Sequence, residues 1–293
     1  MDPASILQYC ITGLTVGSTY GLAALGFTII FNTTGVINFA QGEFVMLGGM
    51  VSVFALRGLG LPEPVAVALA VPAVTLAGAL VERLAIRPAS GRPAMDLIII
   101  TIGVSILIRG LVMLVWGKDT HALPPFSGET PIPFLGAALM PQSLWVLSIT
   151  LALLAGLKYF FSATLHGKAM LACSHDAKAA SLVGIGVRRM VLLSFMISAF
   201  VGAVGGVILA PLTMTSFDVG VLLGLKGFAA CILGGLGNPF GAAAGGLILG
   251  VLESLGAGLI SSAYKDAIAF VILLALLFVR PSGLFGAKDA KRV

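Results

Sequence analysis

Asn32-Thr33-Thr34-Gly35-Val36-Ile37-Asn38-Phe39-Ala40-Gln41-Gly42-Glu43-Phe44 is the stretch whose reading decides the fold. It lies between two strongly apolar runs, 6–31 and 45–56, and neither leaves room for a water-exposed loop. Two amides, two threonines, a Gln and a Glu in that setting belong at a membrane interface or inside a helix bundle. Polar groups at membrane depth cost several kcal/mol each unless they are partnered or wetted. Gly35 and Gly42 bracket them, the pattern of a helix that breaks and restarts, and discontinuous helices are where many transporters bind substrate. Two readings stand at this point: an element of a transport pathway, or a polar turn at the membrane surface.

Composition places this stretch in a membrane. Hydrophobic residues make up 58% of the 293 and charged residues 10%, against about 25% charged in soluble domains. The mean hydropathy is +1.09. The expected fold is an all-α polytopic membrane protein. Thirty-eight glycines fit close helix approach, which small residues permit in membranes. The net charge of +5 does not signal nucleic-acid binding, because the basic residues follow the positive-inside pattern. Cys10, Cys173 and Cys231 have no metal or disulfide spacing. His121, His166 and His175 fall in loops without ligand spacing. No cofactor, metal or catalytic group is expected. The N-terminal apolar run has no preceding Lys or Arg and reads as a retained helix.

Nine helical segments follow from the apolar runs: 6–31, 41–56, 64–82, 97–116, 143–161, 191–212, 219–233, 242–260 and 267–279. Segments 41–56 and 219–233 are short or discontinuous. If either is re-entrant the count of crossings drops to eight. Gly13, Gly17, Gly21 and Gly26 recur near one face of the first helix and predict tight packing there. The run Gly234-Gly235-Leu236-Gly237-Asn238-Pro239-Phe240-Gly241 breaks the chain after the seventh segment. A glycine-rich helix, a polar break and a second glycine-rich helix occur at 13–50 and again at 202–250. Paired broken helices of this kind occur in transporters with internal repeats. The whole chain, 1–293, reads as one transmembrane permease domain.

Lys and Arg set the orientation. Loops 83–96 and 158–190 and the tail 280–293 carry three, five and four of them, and loops 57–63, 117–142 and 261–266 carry one each. The first set is expected in the cytoplasm, with the C-terminus inside and the N-terminus outside. Arg109 reads as a snorkelling side chain. Lys226, in a short apolar segment, needs an acid. Glu43, Asp218 and Glu253 are the candidates, and the pair is either a structural lock or a contact with a substrate carboxylate. Loop 117–142 holds prolines 124, 125, 131, 133 and 141, so little regular structure is expected in it.

The cytoplasmic loop 162–190 contains a helix signal of its own. Asp176 is a good N-cap, Ala177 to Val183 are adequate helix formers, and Gly184 is a natural stop. Leu182, Val183 and Ile185 can present an apolar patch. Such a helix fits a groove on a soluble partner or lies on lipid. The chain has no G-x-x-x-x-G-K-[ST] phosphate loop, so any ATP-driven step needs another chain.

The chain resembles the permease subunits of branched-chain amino acid ABC importers, the LivH type. Thr33 to Phe44 is similar to that family's signature, with Gln41 where the family usually has His. Asp176, Ala179-Ala180 and Gly184-Ile185 resemble its coupling loop. Lys178 stands where the general importer pattern has Glu, and the spacing to the glycine is kept. Residues 224–230, 233–237 and 241–253 resemble a third block, and Val279-Arg280-Pro281-Ser282-Gly283-Leu284-Phe285-Gly286 resembles the tail. The resemblance implies location in the bacterial plasma (inner) membrane, with a LivM-type sister permease, two cytoplasmic ABC ATPases and an extracytoplasmic binding protein that docks on loop 117–142. The substrate pathway is expected past Asn32, Thr33, Asn38, Gln41 and Glu43, with Lys226 a further candidate contact. The resemblance places ATPase coupling at Asp176, Ala179, Ala180, Leu182, Gly184 and Ile185. The alternative function is a stand-alone secondary transporter or facilitator for a small polar solute such as urea or an amide.

Overall fold

Helix α1, Pro3–Thr34, is the axis of the molecule in the computed structural model, which describes residues 3–280 and 282–286. The side chains of residues 268, 269 and 272 are likewise outside the description. Of the tail, Pro281 and the basic residues Lys288, Lys291 and Arg292 lie outside the described residues. The 32 residues of α1 rise about 1.5 Å each, more than the roughly 30 Å hydrocarbon core needs. Its glycine face meets α10, Pro239–Leu259. A methyl group on Gly17 would stand 2.7 Å from the Gly246 carbonyl oxygen and 2.9 Å from Leu247 Cα. On the other side, Gly246 and Gly250 abut the backbone of Gly17 and Gly21. Backbones packed this closely gain the dispersion contact that holds helices together where lipid is as apolar as leucine.

Around this seam the chain lays α2 (Gln41–Val53), α8 (Val187–Thr213) and α9 (Val219–Gly234). Outside them lie α3 (Glu63–Val81), α4 (Ala94–Trp116), α5 (Pro141–Ala163) and α11 (Lys265–Val279). Six helices among the described residues are long and apolar enough to span: α1, α3 with its continuation to Ala89, α4, α5, α8 and α10. The nine apolar segments of the sequence therefore appear as α1–α5 and α8–α11, with α2, α9 and α11 the short ones. The two glycine-rich units meet at the centre, α1 and α2 both packing on α8 and α9.

Two features differ from the sequence reading. Loop 162–190 holds a helix beyond the expected one: α6, Leu165–His175, precedes α7, Ala177–Leu182. Its buried face is Gly167, Met170 and Cys173, a helical spacing hidden by the charges between them. Loop 117–142 contains a hairpin, β1 (Ile132–Phe134) with β2 (Ala137–Leu139). Its turn places Leu135 and Gly136 at positive φ.

Contacts sort the loops into two ends. At one, His121 and Thr215 exchange backbone hydrogen bonds of 2.8 and 2.7 Å, and Ala138 N–H donates to Gln8 Oε1 at 2.8 Å. At the other, Asn32 Nδ2 donates to the Gly237 carbonyl at 2.9 Å and Asn238 Nδ2 to the Phe285 carbonyl at 3.1 Å.

Candidate functional site: a polar break inside the bundle

The last turn of α1 hydrogen-bonds to itself. Thr33 Oγ1 donates to the Ile29 carbonyl at 3.1 Å and Thr34 Oγ1 to the Ile30 carbonyl at 2.8 Å. Gly35, at φ +69°, then lets the chain leave the helix. Residues 36–40 turn back into the bundle. Asn38, fully buried, accepts the Ala40 N–H on Oδ1 at 3.1 Å, and its carbonyl takes the Gln41 N–H at 3.1 Å. The Phe39 N–H is taken by Thr101 Oγ1 of α4 at 3.1 Å, and the Phe39 ring packs with those of Phe27 and Phe228 in a triangle. Among the described residues, Asn38 Nδ2 has no hydrogen-bond partner.

Helix α2 starts at depth, not at a surface. Gln41 meets Ser198 near the middle of α8, and Glu43 meets Ser105 near the middle of α4. The break is therefore internal to the bundle. Gln41 is a cross-brace. Its Nε2 donates to the Ser198 carbonyl at 3.3 Å, its Oε1 takes the Ser198 hydroxyl, and that hydroxyl also reaches the Gly26 carbonyl at 2.9 Å. Gly26 is required here, because a methyl group would occupy the Gln41 amide position.

Glu43 is 1% exposed. Its Oε1 accepts from Ser105 Oγ at 2.7 Å and lies 3.4 Å from Arg109 Nε. Arg109 is thus the counter-ion of Glu43, in place of the snorkelling role expected for it. The ion pair is lopsided: the Arg109 side chain is 30% exposed. Among the described residues Glu43 Oε2 has no hydrogen-bond partner, and it lies where a Gly220 side chain would stand.

Lys226 belongs to a different cluster. Its Nζ lies 2.8 Å from Glu253 Oε1, 2.6 Å from Asp266 Oδ1 and 3.0 Å from the Tyr20 hydroxyl. Of its expected partners, Glu253 is the one engaged. Glu43 takes Arg109 instead, and Asp218 accepts from Ser216 at 2.6 Å. Asp266 joins because α11 folds its first turn against α9 and α10. Lys226 thereby ties α1, α9, α10 and α11 together, which favours the structural-lock reading.

The expected pathway residues thus divide. Thr33, Asn38, Gln41 and Glu43 line one break; Asn32 is turned toward the α9–α10 connection; Lys226 stands apart. Sequence reasoning missed Thr101, Ser105, Arg109 and Ser198 as partners. A lone Ser or Thr in an apolar helix often bonds its own backbone, as Thr28 does to Ala24, so no local signal separated them.

Helix α7 has both expected ends. Asp176 Oδ1 accepts the N–H groups of Lys178 at 2.8 Å and Ala179 at 3.0 Å. The N–H groups of Ala179 and Lys178 hold the exposed Asp176 carboxyl below the usual carboxylate range. Gly184 sits at φ +87°. Its N–H meets the Ser181 carbonyl at 3.1 Å and the Ile185 N–H meets that of Ala180 at 3.0 Å, a Schellman stop. Leu182 is 88% and Val183 77% exposed. Ala180 and Ile185 turn inward to the core instead, so the apolar patch is Leu182 with Val183 and not Ile185.

Residues 9–277 match the family model described as branched-chain amino acid transport system / permease component. Over 98% of both chains, this one is 35% identical to the high-affinity branched-chain amino acid transport system permease protein BraD of Pseudomonas aeruginosa. It is 36% identical to the corresponding LivH protein of Escherichia coli, over 98% of this chain and 97% of that one. An intramembrane break, a bundle locked by small residues and a capped helix with a bare apolar tip are thus the features of a chain that belongs to the permease family of branched-chain amino acid transport systems.

Proposed function

We propose that this chain is a permease subunit of an ATP-driven importer of branched-chain amino acids. In this reading its partners are a LivM-type sister permease, two cytoplasmic ABC ATPases and an extracytoplasmic binding protein. The chain is a single permease domain in the inner membrane, with the C-terminus and loop 162–190 inside and the N-terminus and loop 117–142 outside. The relatives' names supply the substrate class. The single observation that carries the mechanism is α7, a capped helix whose exposed tip is two large apolar side chains. Exposed apolar surface of this kind marks a partner site.

The mechanism is alternating access. Closure of the ATPases pushes α7, which follows α6 and leads directly into α8. Helix α8 holds the break through Ser198 and Gln41. A shift of α8 reorients Thr33, Asn38, Gln41 and Glu43, while Asn32 guards the inner end. Lys226 stays in its lock and touches no substrate.

The test is reconstitution of the importer in liposomes with leucine-loaded binding protein. Wild type takes up leucine only with ATP, and Leu182→Asp hydrolyses ATP without uptake. Gradient-driven leucine, urea or amide uptake by this chain alone would overturn the reading.

A further inference from the structure

An apolar crevice lies away from the break. It measures about 320 Å³ and opens between α1, α5, α6 and the start of α10. That volume falls in the range of small-molecule sites, about 300–1,000 Å³. Leu25, Leu154, Phe161, Leu171 and Phe240 form its walls, and Lys158 stands in its lining as the one cation. Among the described residues no carboxylate lies within ion-pair distance of Lys158.

Its depth is marked independently. Lys158 and Tyr159, the latter 68% exposed, sit one turn before the end of α5. Lysine and tyrosine at a helix end lie at the headgroup level of a bilayer. The chain then bends sharply. Thr164 caps α6 by accepting the Gly167 N–H at 3.0 Å, and Gly167 lies against the Phe160 carbonyl so closely that no side chain fits. Helix α6 leads away with Leu165 84% exposed beside the exposed His166 and Lys168, the composition of an interfacial segment.

An apolar slot with a single unpaired cation at headgroup level is complementary to an amphiphile with one anionic head. We infer that this crevice is a binding site for an anionic phospholipid of the leaflet on the α6–α7 side, an acyl chain against Leu154 and Phe161 and the phosphate at Lys158. The site joins three parts of the mechanism. Leu171 belongs to α6, which carries α7; Pro239 and Phe240 begin α10; Asn32 ends α1. A lipid seated there stiffens the path from α7 to the break.

The test uses the assembled, delipidated importer in detergent, titrated with phosphatidylglycerol and with phosphatidylcholine of the same chains and read by native mass spectrometry. Phosphatidylglycerol is retained preferentially. Lys158→Gln, an exposed change, weakens its retention about fivefold and leaves phosphatidylcholine unchanged. Leu154→Trp fills the slot and weakens both. Equal retention of the two lipids, unaffected by Lys158→Gln, would overturn the proposal. Dissociation of the sister permease by Leu154→Trp with phosphatidylglycerol retention intact would also overturn it, by assigning the slot to a protein partner.

Discussion

Two buried ion clusters in this bundle are built in opposite ways. At Lys226 the cation is 8% exposed and is held by two carboxylates and a phenol from three other helices. At Glu43 the anion is buried and has one cation, 30% exposed, at 3.4 Å; an unpartnered carboxylate oxygen occurs in both clusters among the described residues, Glu43 Oε2 in this one and Glu253 Oε2 in the other. The first cluster lies beside the glycine seam of α1 and α10, where any side chain collides with backbone. The second lies beside the break at 35–40, where Asn38 Nδ2 also lacks a partner among the described residues. A cation with three close partners next to tight packing makes a frame. A half-held charge next to an interrupted helix leaves polar groups free for another arrangement. In the proposed alternating-access cycle the first cluster belongs to the part expected to stay fixed and the second to the part expected to move.

The largest expected effect is at the frame. Lys226→Met leaves the buried Glu253 with Lys265, at 3.8 Å, as its remaining cation and costs up to about 3–5 kcal/mol. It shows as a large drop in melting temperature and in yield of assembled importer. Lys226→Met combined with Glu253→Met recovers most of that loss, because no buried charge is then unpaired. A stable Lys226→Met protein without uptake would reverse the assignment and make Lys226 a substrate contact. Next, Gly17→Val forces the seam apart for about 1–3 kcal/mol, read in the same melting experiment. A change at the exposed Gly103, which has open space around it, costs far less.

At the break the expectation inverts. Glu43→Gln keeps the Ser105 hydrogen bond and costs about 1 kcal/mol, yet it slows leucine uptake strongly. A mutant that melts early but transports normally would place Glu43 in the frame instead. The smallest effect on stability is at α7. Asp176→Ala removes the cap and lowers uptake per ATP hydrolysed; Asp176→Asn retains it. The lowered folded-state pKa fixes the sign of the pH dependence. The cap's contribution is complete above the unfolded aspartate value of about 3.9 and is lost as pH falls through the lower folded value. Coupling therefore does not respond to Asp176 titration near neutral pH.

The same contrast explains what the sequence disclosed. The frame was legible as glycines four apart, since helical periodicity alone puts Gly13, Gly17 and Gly21 on one face. The caps of α7 were legible because an N-cap Asp and a stop Gly act within one turn. Helix α6 was hidden because His166, Lys168 and His175 interrupt its apolar face. The ion pairs were not legible in full. Arg109 pairs with Glu43 and Asp266 with Lys226 across 66 and 40 residues of chain, and local pattern has no term for such meetings. The break was visible as polar residues in an apolar run, but its depth came from Ser198 and Ser105, which look like ordinary helix residues.

The most direct test measures motion of both parts at once in the assembled importer, by spin-label distances with and without ATP. One pair, Leu14 with Leu259, spans the α1–α10 seam, and the other, Leu14 with Ile106, spans from α1 to α4 across the break; all three side chains are exposed. The account predicts that ATP shifts the Leu14–Ile106 distance and leaves Leu14–Leu259 unchanged. A shift across the seam with none across the break would contradict it.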